Sequence, residues 1–447
     1  MASGGSSGQT VGSVTILDSS FANTDVAIVT SHTSFSSPAT GGSLILDNVS
    51  LTNVHDAIRG SSGTILSGGS KTIGGWGQGH KYGPGGQKSF SGPISPFSRP
   101  STLTSNGKFK TWSKPQYTHL PAAAFVSVRS AGAKGDGITD DTKVLKSVIL
   151  KASREGKVLF FDAGTYRVTS TILVHPDSRI VGESYSVIMG SGPAFSDMKN
   201  PRPVVMVGLP GALGRVEWSD MIVSTQGAAP GAILIQWNLY SHEDSPSGMW
   251  DVHTRIGGFT GSKLQLANCP GTLFEKDVVD KECIAAFMSV HFTVFSSSVY
   301  LENTWFWVAD HDIDDPNLGR ITVFAARGLH ISSNKGTFWL VGTGVEHHAL
   351  YQFQFTNTQD VFAAQIQTET AYYQPNPPAT IPFAALSEYG DYDFKTACAG
   401  KPGSCAMGWG LRVVDSESIV VYGAGLYSFF DNYSTGKHCP SGRFTSI

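Results

Sequence analysis

The chain has 447 residues and a formal net charge of −3, with 15% charged residues, 11% aromatic residues and 51 glycines. A chain of this charge lacks the basic surface that binds nucleic acid or anionic membranes. No apolar run reaches the roughly 20 residues that a membrane-spanning helix needs, and the opening MASGGSSGQT has no secretory signal pattern. The abundance of turn and strand formers predicts an all-β protein.

The first 75 residues contain a repeat of short strands. ILDSSFANTDVAI (16–28) and ILDNVSLTNVHDAI (45–58) share an Ile-Leu-Asp start, a Ser/Asn turn and a second apolar strand. Such repeats are typical of a β-helix or another solenoid, which needs about three repeats and a cap at each end. Residues 1–75 are therefore expected to be the last rungs of a truncated first β-helix.

Residues 76–120 are expected to form a linker or an ordered long loop. The stretch is rich in Gly, Pro and Ser and shows no apolar periodicity. Its aromatic residues favour a loop that packs on the protein over a free tether: Trp76, Tyr82, Phe90 and Phe97.

A second unit, 121–447, opens with a strand, a tight glycine turn and one amphipathic helix. Thr139 or Asp140 can cap this helix, and its apolar stripe consists of Val144, Leu145, Val148 and Ile149. Short strands then recur to the end of the chain. Rungs of about 20–25 residues behind a helical cap predict a right-handed parallel β-helix. A β-sandwich is the alternative, because it too is built of short strands.

Four of the five cysteines form two close pairs. Cys269 with Cys283, and Cys398 with Cys405, are near enough in sequence to close short disulfide loops, which would imply an oxidising compartment. Buried free thiols are the alternative. Cys439 remains, and its partner is expected beyond the terminus. None of the five forms a CxxC pair, which argues against a zinc site.

Several stretches resemble known carbohydrate-active proteins. AGAKGDGITDDTKVLKSVI with VLFFDAGTYRV resembles the opening of a pectate-lyase-type β-helix, which is shared by several families. ENTWFWVADHDIDD, GTGVEHHALYQFQFTNTQDVFAAQIQTETAYYQP and LYSFFDNYST more narrowly resemble the second β-helix of fungal exo-acting β-1,3-glucanases, glycoside hydrolase family 55. The resemblance covers residues 121–435 well.

This resemblance carries implications for fold and function. The family has two tandem β-helices with the substrate groove between them, so the chain is expected to be truncated at its N-terminus. The implied activity is inverting hydrolysis of β-1,3-glucan from chain ends, without cofactor or metal. An extracellular location and a monomer are also expected.

Glu346 and Glu369 are the candidate catalytic pair. They lie 23 residues apart, about one rung, and stacked strands are about 4.8 Å apart, so both carboxylates should project from one face. Such neighbours cannot both ionise freely, and a glycosidase needs one protonated and one ionised carboxyl. We expect Glu369 to be the general acid and Glu346 to hold or activate water. Strand alternation places Gln365 and Gln367 on the same face as Glu369, where they would orient water or sugar hydroxyls.

Two points bear on this hypothesis. Backbones one rung apart suggest carboxyls about 5 Å apart, a separation that favours retention, whereas the family resemblance implies inversion. A solvated glutamate pair on an exposed solenoid face is the alternative without catalysis.

His347 and His348 follow Glu346 directly, and strand alternation places His348 on the face of Glu346. No third ligand at metal spacing is apparent.

Further residues are candidates for substrate contacts. Asp310, His311 and Asp312 are expected to contact sugar hydroxyls, unless the Asp-rich stretch is merely a turn. Aromatic faces suit the apolar side of a pyranose ring, although half of such rings in strands would face the core. The candidates are Trp305, Trp307, Trp339, Tyr372 and Tyr373.

Two rival functions remain open. A calcium-dependent polysaccharide lyase could bind the cation through the aspartates 310, 312, 314 and 315 and abstract a proton with Arg320 or Arg327. The spacing lacks the glycine and terminal glutamate of a calcium loop. A non-enzymatic carbohydrate-binding β-helix is the third hypothesis, and the expected truncation favours it because a groove needs two walls.

Overall fold

The computed structural model describes residues 2–3, 13–31, 43–272, 277–402, 405–428 and 430–434. The chain divides into two compact units, unit 1 (Met1–Thr111) and unit 2 (Trp112–Ile447). No helix within the described part is long and apolar enough to cross a membrane. Cys439 lies outside the described residues.

Unit 1 begins with parallel strands. Its strands are β1 (Ala2–Ser3), β2 (Ser13–Leu17), β3 (Ser20–Thr30), β4 (Ser43–Gly60), β5 (Gly63–Gly83), β6 (Gly86–Pro93), β7 (Thr104–Ser105) and β8 (Lys108–Phe109). The strands β2 and β3 pair in parallel with β4. Asn48 Nδ2 donates to Asp18 Oδ1 at 2.6 Å, and Asn53 Nδ2 donates to Asn23 Oδ1 at 3.0 Å. These stacked turns explain the sequence repeat.

The later strands of unit 1 differ from the prediction. β5 pairs antiparallel with β4, and β6 pairs antiparallel with β5. Residues 76–93 therefore belong to a sheet and not to a linker, and the parallel rungs end at β4. The glycines allow close backbone approach: a Cβ on Gly68 would lie 2.2 Å from Val54 O, and one on Gly75 would lie 2.5 Å from Ile94 O. Trp76 is buried in the core of this unit.

Unit 2 is built mainly of strands. They are β9 (Phe125–Ser127), β10 (Asp136–Asp140), β11 (Val158–Phe161), β12 (Gly164–Val168), β13 (Ile172–Val174), β14 (Arg179–Gly190), β15 (Arg202–Val207), β16 (Glu217–Thr225), β17 (Ala232–Trp237), β18 (Ser247–Ile256), β19 (Ile284–Phe292), β20 (Val299–Val308), β21 (Phe324–Ile331), β22 (Phe338–Glu346), β23 (Tyr351–Thr356), β24 (Gln359–Glu369), β25 (Trp409–Val414) and β26 (Glu417–Tyr427). The helices are α1 (Thr142–Arg154) and the short α2 (Phe394–Ala397).

Successive strands of unit 2 alternate between two sheets. One sheet runs β10-β12-β14-β16-β18-β20-β22-β24-β26, and the other runs β13-β15-β17-β19-β21-β23-β25. Neighbouring strands in both are parallel, so each coil adds one strand to each sheet. This arrangement confirms the predicted parallel β-helix and excludes an antiparallel sandwich for unit 2. Helix α1 caps it: the Asp140 carboxylate accepts from Thr142 N at 3.0 Å, and Leu145, Val148 and Ile149 are buried.

Both predicted disulfides are present. Cys269 is joined to Cys283 and Cys398 to Cys405. The second bridge lies in the long excursion between β24 and β25.

The strands of the first sheet bend at a stack of left-handed residues. These are Asp220, Asp251, Asn303, Gly342, Gln365 and Gly423, with φ between +53° and +71°. Beyond the bend, the side chains that point out of the coil form two rows. The first row is Trp305, Gly344, Gln367 and Gly425, and the second row is Arg255, Trp307, Glu346, Glu369 and Tyr427. Phe306, Val345 and Thr368 lie between the rows in sequence and are fully buried.

Candidate active site

Glu346 and Glu369 are direct neighbours in adjacent coils. They end strands β22 and β24, and their Cα atoms are partners in the parallel register, as are those of Gly344 and Gln367. The predicted common register and common face of the two carboxylates are therefore confirmed. Cavities of about 930 and 1460 Å³ lie elsewhere in unit 2 and are lined by neither glutamate.

Gln365 does not lie on this face, although strand alternation predicts it there. Its φ of +57° places it in the bend, where the register passes from Ala364 to Ile366 without pairing it. Its side-chain Oε1 would lie 3.3 Å from a Cβ on Gly423, so the side chain extends towards the next coil. A left-handed residue breaks the two-residue period on which the prediction depended.

Glu346 is the more buried of the two carboxyls. It is 8% exposed, whereas the Glu369 side chain is 24% exposed. Burial raises the pKa of Glu346, and the charge of Glu369 adds to this effect. The charge of His347 and hydrogen bonds from Trp305 and Gln367 act in the opposite direction without cancelling it.

His347 was missed as a site residue. The prediction that His348 shares the face of Glu346 is wrong, because His347 adopts a left-handed φ of +70° at the strand end and turns its ring towards Glu369. His347 Nε2 lies 3.2 Å from Glu369 Oε2, and its Nδ1 lies 2.8 Å from Val308 O. His348 instead points inward, where burial lowers its pKa to about 3.

The first row supports the carboxylates. Gln367 Nε2 donates to Glu369 Oε1 at 3.3 Å. A Cβ on Gly344 would lie 3.0 Å from Trp305 Cδ1 and 3.4 Å from Gln367 Oε1, so glycine leaves room for both side chains. Trp305 is 41% exposed and stacks on Trp307 with ring centroids 4.9 Å apart. Trp305 therefore remains a candidate for sugar stacking.

Most other predicted aromatic platforms are buried. Tyr372 and Tyr373 are 1% and 0% exposed, and Trp339 and Trp307 are also buried. The Tyr372 hydroxyl accepts from Val323 N and donates to Ala309 O, both at 3.0 Å. The predicted sugar stacking on the two tyrosines and on Trp339 is therefore wrong, because the chain enters the core directly after β24. Trp307 is only 5% exposed and stacks against Trp305.

Tyr427 is an exposed aromatic residue that the sequence analysis overlooked. It is 46% exposed and is the register partner of Glu369 in the next coil. A Cβ on Gly425 would lie 2.9 Å from its ring. The signal was hidden because the excursion between β24 and β25 interrupts the repeat.

The aspartate stretch after β20 has mostly a structural role. Asp310 Oδ1 lies 2.7 Å from His311 Nδ1, and both side chains are partly exposed. Asp312 is buried and accepts from Leu266 N at 3.1 Å. Asp310 and His311 stay candidates for sugar contacts, whereas this role is wrong for Asp312, because its carboxylate holds the 265–266 turn.

The lyase hypothesis loses most of its residues, although Arg320 is exposed. Asp314 accepts from Thr260 N and Asp315 from Gly319 N, so these carboxylates cap separate turns. Arg327 is buried in an ion pair with Asp391 and cannot reach a substrate on the face that carries the glutamates.

One group of potential metal ligands occurs within the described residues. Glu346, His347 and Glu369 each bring one ligand atom within 4.8 Å of the others. The hydrogen bond to Glu369 and the fields of Asp310 and Glu346 outweigh burial and raise the pKa of His347. A metal ligand must be a neutral imidazole, and both ring nitrogens of His347 already have partners in Val308 O and Glu369 Oε2, so the arrangement accommodates a shared proton without a metal.

Comparison with known proteins places the chain among fungal sequences. Residues 125–199 match the family model "Rhamnogalacturonase A/epimerase, pectate lyase-like". The "Glucan 1,3-beta-glucosidase" of Cochliobolus carbonum is 47% identical over 99% of this chain and 55% of its own length. The "Probable glucan endo-1,3-beta-glucosidase" of Arthroderma benhamiae is 38% identical over 96% of this chain and 60% of its own length.

A third relative carries a different name. The "Non-secreted LysM effector LysM15" of Penicillium expansum is 35% identical over 94% of this chain and 30% of its own length. Nearly the whole chain is therefore similar to 55–60% of the length of two fungal proteins, one named as a glucan 1,3-beta-glucosidase and one as a probable glucan endo-1,3-beta-glucosidase.

Proposed function

We propose that this chain hydrolyses β-1,3-glucan at the pair Glu346 and Glu369. The observation that carries the proposal is the direct register of the two carboxylates on one face, beside Gln367 and the exposed Trp305. The names of the relatives support a β-1,3-glucan as substrate. The two disulfides fit an oxidising, extracellular location. The proposed active species is a monomer.

Glu369 is the proposed general acid. It is the more exposed carboxyl and can reach the glycosidic oxygen. It donates its proton to that oxygen as the bond to the anomeric carbon breaks, and the bonding electron pair stays on the oxygen. Water adds to the anomeric carbon and gives a proton to Glu346. Because its pKa is raised, Glu346 is a better proton acceptor than an ordinary glutamate carboxylate.

Direct displacement with inversion is the proposed outcome. One carboxylate oxygen of Glu346 and one of Glu369 lie within 4.8 Å of each other. This separation is shorter than the roughly 6.5–9.5 Å between the carboxyls of inverting enzymes. Glu346 is nevertheless too buried to attack an anomeric carbon as a nucleophile. The attacking water is therefore expected beside the pair and not between its members.

Hydrolysis of laminarin by the full chain and by Glu369→Gln tests this function. Removing a general acid should lower kcat by about 10²–10⁴-fold, and Glu346→Gln should also be strongly impaired. Glu417→Gln is the matched control, because Glu417 is an exposed carboxylate at the start of β26. Proton NMR of the first product should show α-glucose, as expected for inversion from chain ends.

Four results would contradict the proposal in distinct ways. A folded parent without hydrolysis would overturn the activity. Full activity of Glu369→Gln would overturn the assignment of the acid. β-Glucose as the first product would replace inversion with retention, and longer oligosaccharides would replace attack at chain ends with internal cleavage.

A further inference from the structure

We propose that His347 is a positioning residue that shares a single proton with Glu369 and so keeps the acid supplied with that proton. The inference deepens the proposed hydrolysis and rests on it for its catalytic meaning. The proton sharing itself is a property of the folded chain. It can be measured without any substrate.

The tautomer of His347 follows from its hydrogen bonds. The Val308 carbonyl can only accept, so His347 Nδ1, 2.8 Å away, must carry a hydrogen and donate it. Nε2 then bears a hydrogen only when the ring is an imidazolium. The contact of 3.2 Å between Nε2 and Glu369 Oε2 consequently needs one proton, on the ring or on the carboxyl.

The backbone holds the two groups in fixed relation. His347 N donates to Glu369 O at 2.8 Å, immediately beside the side-chain contact. The ring is buried and makes T-shaped contacts with the rings of Tyr372 and Phe430, whose centroids are 5.1 and 5.8 Å away. The imidazole cannot turn away from the carboxyl without breaking these contacts.

The groups that surround His347 favour a proton at this position. Burial disfavours the charged ring, but Glu369, Asp310, Glu346 and the Val308 carbonyl together raise the pKa of His347. The neighbouring His348 stays neutral between Ser289 and Gln352. Tyr372 is buried with a raised pKa and carries no charge near neutral pH.

The shared proton completes the reaction cycle. When Glu369 gives its proton to the leaving oxygen, the pair becomes a neutral imidazole and a carboxylate. The proton of the attacking water is then on Glu346, whose ligand oxygen lies within 4.8 Å of both partners. Its transfer back to the pair restores the starting state, and no other proton donor is required.

The shared proton should let hydrolysis persist to higher pH than a carboxylic acid alone would allow. The pair loses its proton as the pH rises through the raised pKa of His347, so this pKa sets the basic limb of activity. In His347→Gln the carboxyl must keep the proton alone. Carboxylic acids lose theirs about two pH units below an imidazolium, so the basic limb should move to lower pH by up to about two units.

The pH dependence of kcat and kcat/KM on laminarin is the kinetic test, with the parent, His347→Gln and His242→Gln. His242 is a highly exposed histidine of unit 2, and its replacement should leave the limb in place. A displaced basic limb in His347→Gln supports the proposal. A lower rate with an unmoved limb overturns it, because a purely structural role would cause that result.

An NMR titration keeps the test decisive if His347→Gln does not fold. The ring of His347 is followed in the parent and in Glu369→Gln with ¹³C-labelled histidine, and the non-titrating His348 serves as the internal control. Its midpoint should fall in Glu369→Gln, and an unchanged midpoint would overturn the proposal. A parent that shares the proton but does not hydrolyse laminarin would refute only the proposed function.

Discussion

At the scale of single residues, the site depends on two backbone features, a glycine and a left-handed residue, that bring polar groups together. Gly344 has no side chain, so Trp305 and Gln367 can occupy its space and both reach Glu346. His347 adopts a left-handed backbone and places its ring against Glu369. Together these two features set the hydrogen bonds that surround the two carboxyls.

Gly344→Ala should impair catalysis without unfolding the chain. The new Cβ would meet Trp305 Cδ1 at 3.0 Å, so Trp305 and Gln367 must shift by a few tenths of an ångström. Misplacement near a reacting centre can cost up to about 10²-fold in rate, and we expect a loss of roughly tenfold within that range. Steady-state kinetics and circular dichroism measure the two effects.

Gly85→Ala is the control for this substitution, because a Cβ on Gly85 would meet nothing within 4 Å. Wild-type kinetics in Gly344→Ala would show that the space beside Trp305 is not needed.

At the scale of elements, strand register was predictable and the bends were not. A spacing of one rung was enough to pair Glu346 with Glu369, because parallel coils repeat with the chain. The bend at Gln365 could not be anticipated, since glutamine does not favour a positive φ. The same limit applies to the buried Tyr372 and Tyr373, whose sequence shows no sign that the strand has ended.

The second sheet contains a pair of buried histidines that should make the fold sensitive to acid. His291 and His330 stack with ring centroids 5.1 Å apart. Burial and the nearby Arg327 lower the pKa of His291 to about 4, and burial lowers that of His330 well below its usual value. The unfolded chain binds these protons near pH 6.5, so the folded state loses stability as the pH falls below that value.

Urea unfolding between pH 7 and pH 4 measures this effect. The free energy of unfolding should decrease by at most about 1.4 kcal/mol per pH unit for each histidine. His291→Gln should flatten the slope, whereas the exposed His242→Gln should not. An equal slope in the parent and in His291→Gln would mean that His291 gains its proton in the folded state as easily as in the unfolded one.

At the scale of the whole molecule, the chain consists of two compact units, of which unit 2 holds every residue of the proposed site. The chain spans 55% and 60% of the two glucosidase relatives described above, and the predicted truncation stays a prediction. The fold of unit 2 followed from strand spacing and one capped helix. The antiparallel hairpin of unit 1 could not be foreseen, because its glycines and serines are also what a linker contains.

Removing the Cys269–Cys283 bridge should destabilise unit 2. The bridge joins residues 14 positions apart, and closing a loop of about this length contributes roughly 3 kcal/mol in the chain-entropy model. Urea unfolding of the double variant C269A/C283A should show a loss of about 2–4 kcal/mol. The native chain without reductant is the reference, and equal stability of that chain and the double variant would contradict the expectation.

Because the bends of successive coils stack on one another, the outward-facing positions after the bend lie at fixed places on the surface. A side chain two or four positions downstream of a bend residue lies in line with its counterparts in the neighbouring coils, whatever the length of the loops elsewhere in that coil. Insertions such as the excursion after β24 can therefore change freely while the glutamates keep their spacing. An engineer could move the carboxyl pair by one coil, along the same rows, by exchanging a few side chains and leaving the interior untouched.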